Sequence, residues 1–114
     1  MNDLASKKCV PCEGNIPPFK TDEIHKYLKK IDGWEVVKDK LDGFHLIKNF
    51  KFDNFLQSQE FVNKVGEIAE LEGHHPDLWF GWGYARIKIF THAIKGLAES
   101  DFILAAKIDQ ISNA

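Results

Sequence analysis

Glu70, His74, His75, Pro76, Asp77, Trp82, His92 and Asp101 bring three of the chain's five histidines into one stretch with carboxylates and an aromatic. Histidine titrates near pH ~6.5, so an imidazole can both give and take a proton close to neutrality. A cluster of this kind predicts proton-transfer chemistry or a metal site. Three histidines and a carboxylate form a ligand set that suits zinc, which keeps a metal hydrolase open. Against it, no His-x3-His pair occurs, and adjacent histidines on an extended connector rarely converge on one ion.

The elements that must position these residues follow from periodicity. Thr21 is expected to cap a helix with Ile24, Tyr27, Leu28 and Ile31 on one face, ended by Gly33. Trp34 to Lys38 and Phe44 to Phe52 read as two strands joined by the turn-forming run Asp39 to Gly43, with Phe44, Leu46, Phe50 and Phe52 on one face. Asn54 with Gln57 three residues on starts a second helix, whose stripe is Phe61, Val62, Val65, Ile68 and Ala69 and whose end is Gly73. Ala85, Ile87 and Ile89 alternate with Arg86, Lys88 and Phe90 as a half-buried strand, the Gly81-Trp82-Gly83 stretch before it is a turn or a strand junction, and a second hairpin is expected here. Ser100 is expected to cap a last helix that turns Leu104, Ala105, Ile108 and Ile111 inward. The order α-β-β-α-β-β-α predicts a single α+β domain, a four-stranded antiparallel sheet with three helices on one face. Residues 1–19 are read as an irregular arm and 20–114 as the domain.

On that scaffold His74 and His75 follow the second helix, and Pro76 disfavours the helical region for His75. The two imidazoles of an extended pair point opposite ways, so one should face a cleft more squarely than the other. Asp101 falls in the first turn of the last helix, one turn before the apolar Leu104 and Ala105. It is either a carboxylate on the positive end of the helix dipole or a partner for another side chain. His92 alone would read as a hydrogen-bonded strand-end residue, and His25 and His45 are read as structural. Trp34, Trp79 and Trp82 would each more often be core than substrate platform.

A chain of 114 residues, 44% hydrophobic and 28% charged, is long enough for one core. A net charge of −2 gives no electrostatic reason for direct binding to nucleic acid or to an anionic membrane. Met1 to Lys8 lack the apolar centre of a signal peptide, and no apolar run approaches the ~20 residues of a membrane span, so the cytoplasm is the expected location. Cys9 and Cys12 form a Cys-x-x-Cys with no second pair to complete a zinc site and no strand before it, and are read as dispensable reduced thiols.

The joint spacing Glu-x3-His-His-Pro-x5-Trp-x9-His-x8-Asp resembles the signature of the pterin-4a-carbinolamine dehydratases. The likeness runs from Cys9 to the last helix and includes Gly33-Trp34 and Phe50-Lys51-Phe52. It implies dehydration of a 4a-hydroxytetrahydropterin to a quinonoid dihydropterin, a hydro-lyase reaction that recycles the cofactor of aromatic amino-acid hydroxylases. Loss of hydroxide from C4a needs a proton at the departing oxygen and another removed from N5, which two groups of pKa near 7 can supply without a metal or bound cofactor. By this resemblance His74, His75 and His92 are catalytic. The same resemblance gives Glu70, Pro76, Trp34, Thr91 and Asp101 to substrate binding, with Trp34 beside the ring and Asp101 orienting an imidazole. It further implies a homodimer or homotetramer, which would also relieve the two open edges of a four-stranded sheet. The alternative in another class is a protein-interaction or transcriptional coactivator module of the same fold.

Overall fold

In a computed structural model, which describes residues 3–7, 17–41 and 43–112, the elements are α1 (Thr21–Leu28), β1 (Glu35–Asp39), β2 (Gly43–Lys51), α2 (Phe55–Glu72), β3 (Asp77–Gly81), β4 (Tyr84–Ile89) and α3 (Glu99–Ser112). The sheet is antiparallel throughout, in the order β1-β2-β4-β3, which leaves β1 and β3 as its edges. The expected α+β order is thus the observed one. Cys9 and Cys12 lie outside the described residues.

Helix boundaries differ from expectation where a side chain other than the expected one closes the first turn. Lys20, not Thr21, occupies the N-cap position of α1, and its N–H donates to the Glu23 carboxylate at 3.1 Å. The helix stops at Leu28, and N–H groups of Lys30 and Ile31 bond back three residues as the chain tightens toward Gly33, at φ +76°. At α2 the expectation holds. The Asn54 side chain accepts the Gln57 N–H at 2.9 Å, and Gly73 takes the left-handed conformation, φ +66°, that ends the helix.

The core lies between the sheet and the helices. Leu46, Phe50, Ala85, Ile87 and Ile89 on the sheet meet Phe61 and Val65 of α2 and Phe102, Leu104, Ala105 and Ile108 of α3. Residues Phe102 to Ala106 are almost completely buried, so α3 is apolar nearly all round and sits at the centre of the fold. Two carboxylates interrupt it, Asp101 and Asp109, and burial obliges both to find partners. Asp109 accepts from the Trp34 indole N–H at 3.0 Å, the Lys48 ammonium at 2.8 Å and the Asp32 N–H at 3.0 Å. That one carboxylate ties α3 to β2 and to the turn leading into β1.

Part of the N-terminal arm is folded. Asp3–Ser6 form a short 3₁₀ turn that buries Leu4 and Ala5, and Lys107 donates to the Ala5 carbonyl at 2.7 Å. Lys7 and the Tyr27 hydroxyl both reach Glu99 at the start of α3, at 3.2 and 3.0 Å. Burial alone would raise the Glu99 pKa, but hydrogen bonds from Lys7 and Tyr27 outweigh it and leave the carboxyl below its usual range.

Removing the Asp109 carboxylate leaves the half-buried Lys48 ammonium without its counter-ion, though still bonded to the Asp32 carbonyl, and the Trp34 N–H without its acceptor. Asp109→Ala is expected to cost about 3 kcal/mol in urea unfolding, the scale for breaking a buried pair. A loss below about 1 kcal/mol would show that the pair contributes no more than a surface bridge.

Candidate active site

His74 leaves α2 directly after the left-handed Gly73, with its N–H still bonded to the Ala69 carbonyl at 3.2 Å. Its imidazole turns inward, and Nε2 lies 2.6 Å from Asp101 Oδ1. His75 turns outward, with Nε2 2.6 Å from Glu70 Oε1, both side chains largely in solvent. The extended connector therefore divides the pair as its alternation requires, and His74 is the more buried of the two. Pro76, half-buried, follows before β3 begins.

Asp101 is 0% exposed and fully committed. Oδ1 accepts from His74, while Oδ2 accepts the Thr91 hydroxyl at 2.8 Å and the Ala98 N–H at 2.8 Å. The Asp101 N–H donates in return to the Ala98 carbonyl at 3.1 Å. This acid therefore caps α3 from its third residue, the position of the acid in a capping box, and Ser100 does not start the helix. Helix capping and imidazole binding are performed by the same carboxylate. As an acceptor it fixes the His74 proton on Nε2 and leaves Nδ1 with a free lone pair.

Thr91 and His92 follow β4 and are held by a bridge to Gly96, with N–H···O distances of 2.9 and 3.4 Å. His92 opens a single 3₁₀ turn, His92–Ile94, rather than finishing the strand, and Lys95 beyond it is left-handed at φ +51°. Gly43, itself at φ +75°, lies so close beneath the Lys95 carbonyl that a Cβ there would collide with it. The Phe19 N–H to the Leu97 carbonyl, 2.7 Å, holds the far side. His92 is exposed, and its ring contacts that of Phe90 at 4.2 Å between centroids.

The structure thus joins the His74 connector to the Thr91–His92 segment through Asp101, and sets His75 and Glu70 as a pair at the surface. Trp34 is not among them. Its indole is buried against Phe50 and bonded to Asp109, eight residues along α3 from Asp101, or about 12 Å of helix. Trp79 and Trp82, expected in the core, are exposed, the latter at 71%. Their place on an edge strand and its hairpin turn explains this, because β3 has a neighbour on one side alone. The Ala98 N–H was not foreseen, though an acid three residues into a helix is a signal for it. Among the described residues no group of three or more His, Cys, Asp or Glu side chains converges as a metal ligand set.

In this two-layer α+β domain one buried carboxylate orients His74, while His75 and His92 lie exposed on the segments that flank it. The family described as pterin 4 alpha carbinolamine dehydratase matches residues 17–111, and the chain belongs to that family. A relative from Rubrobacter xylanophilus is 51% identical over 97% of this chain and 100% of its own, and one from Alkaliphilus metalliredigens is 47% identical over 96% of each. Both carry a provisional pterin-4-alpha-carbinolamine dehydratase name. A solved structure from Brucella melitensis, described as a transcriptional coactivator/pterin dehydratase, superposes with TM-score 0.75 at 26% identity over 83% of this chain and 98% of that one. A pterin dehydratase-like protein described as a RuBisCO assembly factor of the alpha-carboxysome gives 0.59, also at 26% identity, over 72% and 92%.

Asp101→Asn places an amide N–H either against the Thr91 and Ala98 donors or against His74, where it forces the imidazole proton from Nε2 to Nδ1. The expected cost in urea unfolding is about 1–3 kcal/mol, with turnover of a 4a-carbinolamine down about 10²-fold in the folded variant. Turnover at the wild-type level would remove Asp101 from the site.

Proposed function

We propose that the protein dehydrates 4a-hydroxytetrahydropterins to quinonoid dihydropterins by imidazole acid/base catalysis. The observation that carries this reading is the 2.6 Å contact between His74 Nε2 and the fully buried Asp101 carboxylate. A carboxylate so placed stabilises the imidazolium, which makes His74 Nδ1 an effective base for the N5 proton. His92, exposed beyond Thr91, delivers a proton to the C4a oxygen as the C–O bond breaks. The N5–H bonding electrons form the new C=N bond, the C–O electrons leave with oxygen, and the products are water and the quinonoid dihydropterin. His75 with Glu70, and Thr91 with Pro76, border the pterin, whose paired edge donors match a carboxylate such as Glu70. Trp34 serves this reading through the fold rather than beside the ring, given its bond to Asp109. Recycling the pterin of an aromatic amino-acid hydroxylase in the cytoplasm is the setting that fits the family.

A second reading, as an interaction module, has its own support in exposed apolar side chains. Leu56 and Leu71 lie in solvent on α2, the latter at 84%, and Trp79 and Phe80 are exposed on the edge strand β3. The names of the two structural neighbours point the same way for those proteins. The same surfaces favour a homodimer or homotetramer, since pairing one sheet edge across a two-fold axis satisfies its free backbone groups. Sedimentation is expected to give a species of at least twice 13.1 kDa at micromolar concentration, and a strictly monomeric protein would contradict it.

The catalytic reading is tested on folded variants. His92→Ala is expected to lower kcat by about 10²–10⁴-fold where chemistry limits, and His74→Ala/His92→Ala to fall further than either single change. Exposed His25→Ala is the control. A double variant as fast as wild type would leave the interaction reading in its place.

A further inference from the structure

The face of β4 turned away from the helices carries Tyr84, Arg86 and Lys88, alternate residues of the strand, and the buried Phe90 follows the strand two residues before His92. Lys88 is half-buried there, between Ile47 of β2 and Asp77 of β3 in register. Its ammonium lies over the Phe90 ring, 5.0 Å from the centroid, and that ring in turn contacts the His92 imidazole at 4.2 Å. The two contacts put the positive charge within about 9 Å of His92. Among the described residues no carboxylate comes within ion-pair distance of Lys88, Asp77 included. Arg86 behind it is likewise occupied with a ring, 5.8 Å from the centroid of Trp79.

A half-buried ammonium without an anion, held by an aromatic ring against a proton-transfer histidine, is a site waiting for negative charge. In the proposed reaction the bonds that change are at C4a and N5, and the next ring atom, C6, carries the substituent of a pterin. A substrate with its C4a oxygen at His92 has C6 two bonds further round the ring, and its substituent reaches outward over a distance of the same order as the imidazole-to-ammonium span. We infer that Lys88 selects substrates whose C6 side chain bears an anionic group, a phosphate ester or a carboxylate. This rests on the dehydratase reading and narrows its substrate class. Lys88 acts by binding and takes no part in proton transfer.

The test compares three 4a-carbinolamines on the full-length protein: one with a neutral C6 substituent, one with a phosphate ester and one with a carboxylate. Wild type is expected to have a higher kcat/KM for at least one anionic substrate than for the neutral one, through KM, and the better of the two identifies the charge. In Lys88→Gln the anionic-to-neutral ratio of kcat/KM should fall at least about tenfold, the range expected for losing one charge-assisted bond, and Lys88→Arg should restore most of it. A general packing role would move both substrates together. An unchanged ratio in Lys88→Gln, or a wild type that favours the neutral substrate, overturns the inference while leaving the dehydratase reading intact. Failure of wild type to dehydrate any of the three overturns both.

Discussion

A carboxylate taken wholly out of water is destabilising unless every lone pair is met, and Asp101 turns that requirement into an organising contact. Its three donors come from three places: the exit of α2, the end of β4 and the N-terminus of α3. Because one carboxylate caps a helix with Oδ2 and orients an imidazole with Oδ1, moving it to release His74 also uncaps the central helix. The capping of α3 and the orientation of His74 therefore depend on one group.

The rest of the fold keeps that carboxylate in place. α3 is buried on nearly all sides, so its translation relative to the sheet is restricted by packing, and Asp109 at its far end fixes it again through Trp34 and Lys48. The segment that carries His92 is held by backbone bonds as well. Gly43 beneath Lys95, the Thr91–Gly96 bridge and the Phe19 N–H together define it. A left-handed lysine in that turn is a strained conformation that such contacts sustain.

Much of this was legible from local pattern. The period-two runs in β2 and β4, the Asn54 cap and Gly73 all mark features that depend on near neighbours, and Pro76 was enough to separate His74 from His75. What escaped depends on contacts far apart in the chain. No periodicity tells which histidine meets Asp101, since the choice rests on where α3 lies relative to the end of α2. The tryptophans show the same limit: Trp34 is drawn into the core by an aspartate 75 residues away, whereas Trp79 and Trp82 stay in solvent on an edge strand. The start of α3 was misplaced because its cap comes from inside the helix.

The central claim is that Asp101 holds the His74 proton on Nε2 and presents Nδ1 to a pterin. Nitrogen-15 NMR of the histidine rings, without ligand and with a 7,8-dihydropterin, addresses it directly. The account predicts a protonated Nε2 and an unprotonated Nδ1 for neutral His74, with the Nδ1 resonance shifting when the pterin binds and the Nε2 signal remaining that of a hydrogen-bonded N–H. A His74 protonated on Nδ1 in its neutral form, or a His74 ring indifferent to saturating pterin, would contradict it.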